Sequence, residues 1–236
     1  MADLKRTKLA REIHNSKYKP LTINRPGTYY AIVRTTNTNI VYHGGSAIIG
    51  VYNPKVKGTQ YSSARIKVQN YPDSIEVGWT VNPTLYNDTQ PISTPEEQFD
   101  LKLMLFWDSS NGNWFLKYGH DETVIGFWPK NAFTALGDGA NYVYWGGEIF
   151  SPPGVPSPPM GSGYGAKLDE DTRYDAYCRK IKTINETDYV VNAVDTRSFS
   201  DIVQYEVIDE GIVGVAEIQH IILFGGLGGY TGNKDF

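Results

Sequence analysis

The chain has 236 residues, with 22 Lys and Arg against 26 Asp and Glu and a formal net charge of −4; its calculated pI is near 5.6. This acidic balance argues against a nucleic-acid partner. A mean hydropathy of −0.38, with no apolar run approaching about 18 residues, argues against a membrane-spanning helix.

Seventeen Tyr, 24 Gly and 13 Pro favour strands and the turns between them. Residues 1–27 are basic and weakly patterned, and Pro20 and Pro26 stop any regular element, so they read as a solvated N-terminal arm ahead of a domain spanning 28–236. Strand signals follow at 28–34, at 40–52 and at 61–69, with Asn53-Pro54 and Tyr71-Pro72-Asp73 as turn chemistry between them. The next strand carries Glu76, and residues 83–98 read as a loop. Phe99, Leu101, Leu103, Leu105 and Trp107 alternate as a core-facing set. Two hairpins then turn at 108–113 and 119–122. Residues 129–136 predict a two-turn helix, with Pro129 at its first position and Gly137 near its end. A strand carrying Glu148 comes next, then a Pro/Gly-rich loop over 151–165 that could cover a cleft. Strands at 173–183, 188–194, 202–208, 212–215 and 218–224 complete the chain. About a dozen short strands with one short helix predict an all-β fold, an antiparallel two-sheet β-sandwich.

Two strands carry the candidate chemistry. In Ser74-Ile75-Glu76-Val77-Gly78-Trp79-Thr80-Val81 the apolar residues share one face, and Glu76 shares the other with Gly78. In Tyr142-Val143-Tyr144-Trp145-Gly146-Gly147-Glu148-Ile149 the order is mirrored, with Gly146 and Glu148 on the face opposite Trp145. If the two strands are antiparallel neighbours, Glu76 stands opposite Gly146 and Gly78 opposite Glu148, each carboxylate leaning over bare backbone. Two carboxylates held close would share a proton, one polarising a carbonyl while the other deprotonates water. The same residues could equally be ordinary solvent-facing strand positions, because spacing does not establish that the strands are neighbours. Trp79, Trp107, Tyr142 and Tyr144 are the candidate substrate-binding aromatics, with cross-strand packing as the competing reading.

The remaining motifs carry less. His14, His43, His120 and His220 lack metal-ligand spacing and Cys178 has no partner cysteine, so neither a metal nor another cofactor is expected. Gly161-Ser162-Gly163 opens no helix, and neither does Gly225-Gly226-Leu227-Gly228-Gly229, which argues against a serine elbow and a phosphate cradle. The lone cysteine and the absence of an apolar signal-peptide core in residues 1–8 favour a cytoplasmic, reducing setting; removal of a leader would instead mean secretion. The sequons at Asn87 and Asn185 matter only in that second case.

An ordered series of motifs resembles the neprosin family. It runs through Tyr42-His43-Gly44-Gly45, Val51-Tyr52-Asn53-Pro54, Gln60-Tyr61-Ser62 and Ile75-Glu76-Val77-Gly78-Trp79-Thr80-Val81-Asn82-Pro83. It continues through Gly112-Asn113-Trp114-Phe115, Ile125-Gly126-Phe127-Trp128-Pro129, Trp145-Gly146-Gly147-Glu148, Met160-Gly161-Ser162-Gly163 and Phe224-Gly225-Gly226. The resemblance implies an antiparallel β-sandwich and a glutamic endopeptidase that cleaves after proline, with its two catalytic glutamates at the positions of Glu76 and Glu148. The resemblance implies three departures from the family: residues 85–98 stand in place of a much longer segment with a cysteine-paired hairpin, the sequence as given shows no signal or activation segment, and a double Trp has become Trp114-Phe115. Three functions therefore stay open. They are a glutamic peptidase acting on a peptide substrate, the same carboxylates used for acid–base chemistry on a small molecule inside the cell, and a non-catalytic peptide- or glycan-binding module.

Overall fold

A computed structural model describes residues 26–85, 98–166 and 174–230. Residues 1–25 of the arm expected over 1–27, most of the loop after Pro83 and the sequon at Asn87 lie outside the described residues.

The chain forms two antiparallel sheets around a shared interior. The five-stranded sheet is built from β1 (Thr28–Thr35), β3 (Tyr61–Asn70), β4 (Asp73–Val81), β8 (Tyr142–Phe150) and β11 (Thr196–Ser200), in the order β11-β1-β8-β3-β4. The second sheet runs β12-β13-β9-β2-β5-β6-β7, with β10 paired to β9 beside it. Its strands are β2 (Gly44–Gly50), β5 (Asp100–Asp108), β6 (Asn113–Tyr118), β7 (Thr123–Trp128), β9 (Ala176–Ile184), β10 (Val190–Asn192), β12 (Glu206–Ile212) and β13 (His220–Gly225). This is the expected all-β two-sheet sandwich. Of the strands expected at 202–208 and 212–215 a single one forms, β12 over Glu206–Ile212, and β11 forms where no strand was expected.

The apolar sets meet between the sheets. Ala64, Ile66 and Val68 of β3, Ile75 and Val77 of β4, and Val143, Trp145 and Ile149 of β8 pack against Ala47 and Ile49 of β2, Leu103 and Leu105 of β5, and Ile181 of β9. A buried indole needs an acceptor for its N–H, and strand β2 supplies two. Trp79 Nε1 donates to the Gly50 carbonyl at 2.8 Å, and Trp145 Nε1 to the Ser46 carbonyl at 3.1 Å. Two bulky side chains of the smaller sheet are thereby tied to the backbone of the larger one.

The segment expected to be a short helix is helical only in two 3-10 turns, Lys130–Ala132 and Leu136–Asp138. One carboxylate interrupts it. Asp73 Oδ2 accepts the backbone N–H groups of Thr134 and Ala135 at 2.6 Å and of Leu136 at 3.1 Å. These donors are taken from any helical ladder, and the segment is fastened to the start of β4. The hydrogen bonds from Ala135 and Leu136, with that from Thr134, outweigh the opposing effect of burial and hold Asp73 below the usual carboxylate range. The Pro/Gly-rich loop after β8 is anchored along its length. Ser157 pairs with Gly229, Met160 pairs with Gly226, and the Tyr205 hydroxyl donates to the Pro158 carbonyl at 2.7 Å.

Candidate active site

Period-two alternation puts one set of side chains from each strand of the five-stranded sheet on its outer face, away from the shared core. On β3 these are Tyr61, Ser63, Arg65, Lys67 and Gln69. Backbone register then fixes three rows across the sheet. In the first, Tyr30 of β1, Glu148 of β8, Ser63 of β3 and Thr80 of β4 stand side by side. In the second stand Ile32, Gly146, Arg65 and Gly78, and in the third Arg34, Tyr144, Lys67 and Glu76.

The two glutamates therefore share a face, but their strands are not neighbours. Strand β3 lies between β4 and β8, so the expected direct register of Glu76 with Gly146 is corrected. The turn at Tyr71-Pro72 connects β3 directly to β4 and gives β4 its partner locally, leaving β8 to pair with the other edge of β3. The mirrored glycines flank Arg65 instead. A Cβ on Gly78 would meet the Ala64 carbonyl oxygen at 1.9 Å and the Arg65 Cα at 2.7 Å. Gly146, at φ +134°, has the Ala31 carbonyl oxygen 2.4 Å from its Cβ position. Bare backbone on both sides of Arg65 lets carboxylates from the rows above and below converge on its guanidinium.

They do converge. Arg65 Nη1 hydrogen-bonds Glu76 Oε2 and lies 3.2 Å from Glu148 Oε2, while Nη2 donates to the Ser63 hydroxyl at 2.5 Å. One nitrogen touching both carboxylates places them within two hydrogen-bond lengths of each other, about 6 Å. Lys67 Nζ completes the cluster, 2.9 Å from Glu76 Oε1. The Tyr61 hydroxyl donates to Glu148 Oε1, and the Ser63 hydroxyl donates to the Glu148 main-chain carbonyl at 3.0 Å. The two carboxylates differ in exposure: the Glu148 side chain is 6% exposed and that of Glu76 31%.

These cations change the protonation chemistry expected of the pair. Burial alone would raise the Glu76 pKa, but the charges of Arg65 and Lys67, with their hydrogen bonds, outweigh it and hold Glu76 below the usual carboxylate range. Glu76 is thus ionised without having to share a proton. Burial disfavours the charged form of Arg65, and the negative charge of Glu148, then the influence of Tyr144, Glu76 and Tyr61, reverses this and raises its pKa. Arg65 is permanently cationic.

The aromatic candidates separate. Tyr144 joins the site, buried in the row of Lys67 and Glu76, with Lys67 Nζ 5.6 Å from its ring centroid. Tyr142 stands two residues further along the same face, where Arg34 Nη1 donates to its hydroxyl at 3.3 Å. Trp79 and Trp107 point the other way, into the interior, each only 9% exposed. Their place in the apolar half of each alternation dictates this, and it puts neither side chain on the face that carries Glu76 and Glu148. Trp107 packs edge-on against His43, with ring centroids 4.7 Å apart. Arg65, Lys67, Ser63 and Tyr61 were missed. Their signal was present in the outward half of Tyr61-Ser62-Ser63-Ala64-Arg65-Ile66-Lys67-Val68-Gln69, joined by a tight turn to the Glu76 strand. Among the described residues no cluster of His, Cys, Asp or Glu suits a metal ion.

A family model described as Neprosin matches residues 58–95 and 89–227. The two matched pieces overlap over residues 89–95, cover most of the chain and include β3, β4 and β8.

Proposed function

The chain belongs to the neprosin family, and from that premise we propose that it is a glutamic-type hydrolase that cleaves peptide bonds next to proline. Family membership supports a peptidase-like domain, and the observation that carries the finer reading is the single Arg65 nitrogen joining Glu76 to Glu148. Glu76, held ionised by its cations and the more exposed of the two carboxylates, is placed to take a proton from an attacking water. Glu148, which accepts a hydrogen bond from Tyr61 on one oxygen and pairs as an ion with Arg65 on the other, holds the guanidinium where negative charge develops on the carbonyl oxygen. A fixed cation in a partly buried site stabilises such charge without reorganising during the reaction. Because Arg65 and Lys67 keep Glu76 ionised into acid, activity extends below the pH at which an ordinary glutamate would protonate.

A second reading has its own support. Two cations balance two anions in the cluster, and a neutral, fully paired network also suits a face that binds peptide without cutting it. Incubation with a denatured, carboxymethylated protein across a pH series, with mass spectrometry of every new terminus, separates the two. Hydrolysis predicts new termini with the wild-type protein, concentrated beside proline, and none with Glu76→Gln. Binding alone predicts no new terminus at any pH.

A further inference from the structure

Tyr144 sits within this cluster, yet its hydroxyl makes none of the cluster's hydrogen bonds. It is 3% exposed, and among the described residues its hydroxyl has no hydrogen-bond partner. The ring is fixed by its neighbours, edge-on to Tyr30 with centroids 6.4 Å apart and to Tyr142 at 6.1 Å. Lys67 packs over its face. Phenylalanine would satisfy all these contacts. A buried polar group without a partner is costly to the fold and calls for a separate explanation. Its position offers one. In the backbone register Tyr144 is directly opposite Lys67, which is directly opposite Glu76, and the Gly146–Arg65–Gly78 row separates this line from Glu148.

We propose that Tyr144 is a catalytic residue whose O–H donates to the carbonyl oxygen of the bond being cleaved. The proposal rests on the hydrolase reading above. In the first step the water oxygen bonds to the carbonyl carbon while its proton passes to Glu76. The carbonyl π pair moves onto oxygen, where Tyr144 donates a hydrogen bond and Arg65 supplies positive charge. The C=O bond then re-forms, the C–N bond breaks, and the departing nitrogen takes the proton back from Glu76. Tyr144 keeps its own proton throughout. Burial, followed by the charges of Glu76 and Glu148, raises its pKa well above that of an ordinary tyrosine, so it serves as a donor and not as an acid.

Tyr144→Phe tests this, because removing an unpartnered hydroxyl should leave Tm unchanged or raised. On the denatured-protein substrate, kcat should fall by at least about tenfold with KM changed less than about twofold, the signature of a donor used in the transition state. A kcat within twofold of wild type overturns the proposal and leaves the hydrolase reading standing. A lower kcat accompanied by a lower Tm also overturns it, because the hydroxyl would then be holding the fold. Absence of any new terminus with the wild-type protein overturns the hydrolase reading, and this proposal with it.

Discussion

Arg65 and Lys67 set the working state of Glu76. Its folded pKa lies below its ordinary value of 4.5, burial opposing the shift and the two cations producing it. Ionised Glu76 therefore contributes stability that is complete above the unfolded pKa and is lost as pH falls through the folded value. With Glu76 as the proposed base, the acid limb of the rate profile should follow the same group. Lys67→Met removes one of the two cations while keeping the buried stem, and the acid limb of kcat/KM should move to higher pH. An acid limb that stays in place would show that Lys67 has no hold on the reacting carboxylate. The pairing of these residues was legible in the sequence: a two-residue turn at Tyr71-Pro72 sets Asn70 opposite Asp73, and counting back places Lys67 opposite Glu76. The alternation was read for the glutamate strands and not for the strand between them.

Strand β3 is the element on which the site depends, carrying both cations and holding β4 and β8 apart. Its close approach to β4 requires a residue without a side chain at position 78, because an added Cβ would fall 1.9 Å from the Ala64 carbonyl oxygen. Gly78→Ala should destabilise the protein by roughly 1–3 kcal/mol through overpacking, measured by urea unfolding with an unchanged m-value. A variant as stable as wild type would show that β4 has room to move away from β3. The mirrored glutamate–glycine patterns showed that each strand has one apolar face and one sparsely filled polar face. They could not show which strand stands next to which. That choice is made by pairing between distant segments, and neither β8's partnership with β3 nor its partnership with β1 leaves a mark in local alternation. The short helix was misjudged for a related reason. Asp73, 61 residues from Thr134, captures the N–H groups that the local pattern assigned to a helix.

At the scale of the molecule, alternation and turn chemistry were enough to give two antiparallel sheets around an interior that holds Trp79, Trp107, Trp114 and Trp145. Cys178 lies within that interior and is fully buried, its thiol pKa pushed well up by burial, a hydrogen bond with the Gly146 backbone opposing this. The site exists only when the whole sheet is assembled, because Glu76 and Glu148 come from distant parts of the chain and are joined through a third strand. The proposed hydrolysis requires these two carboxylates, bridged by Arg65, to act as one unit. A double-mutant cycle on turnover tests it most directly, with Glu76→Gln, Glu148→Gln and the double variant assayed on the same denatured-protein substrate. The expected result is that each single change removes most of kcat/KM and the double change costs little more, as for other groups that act together. Near wild-type turnover in either single variant, or losses that simply multiply in the double variant, would contradict it.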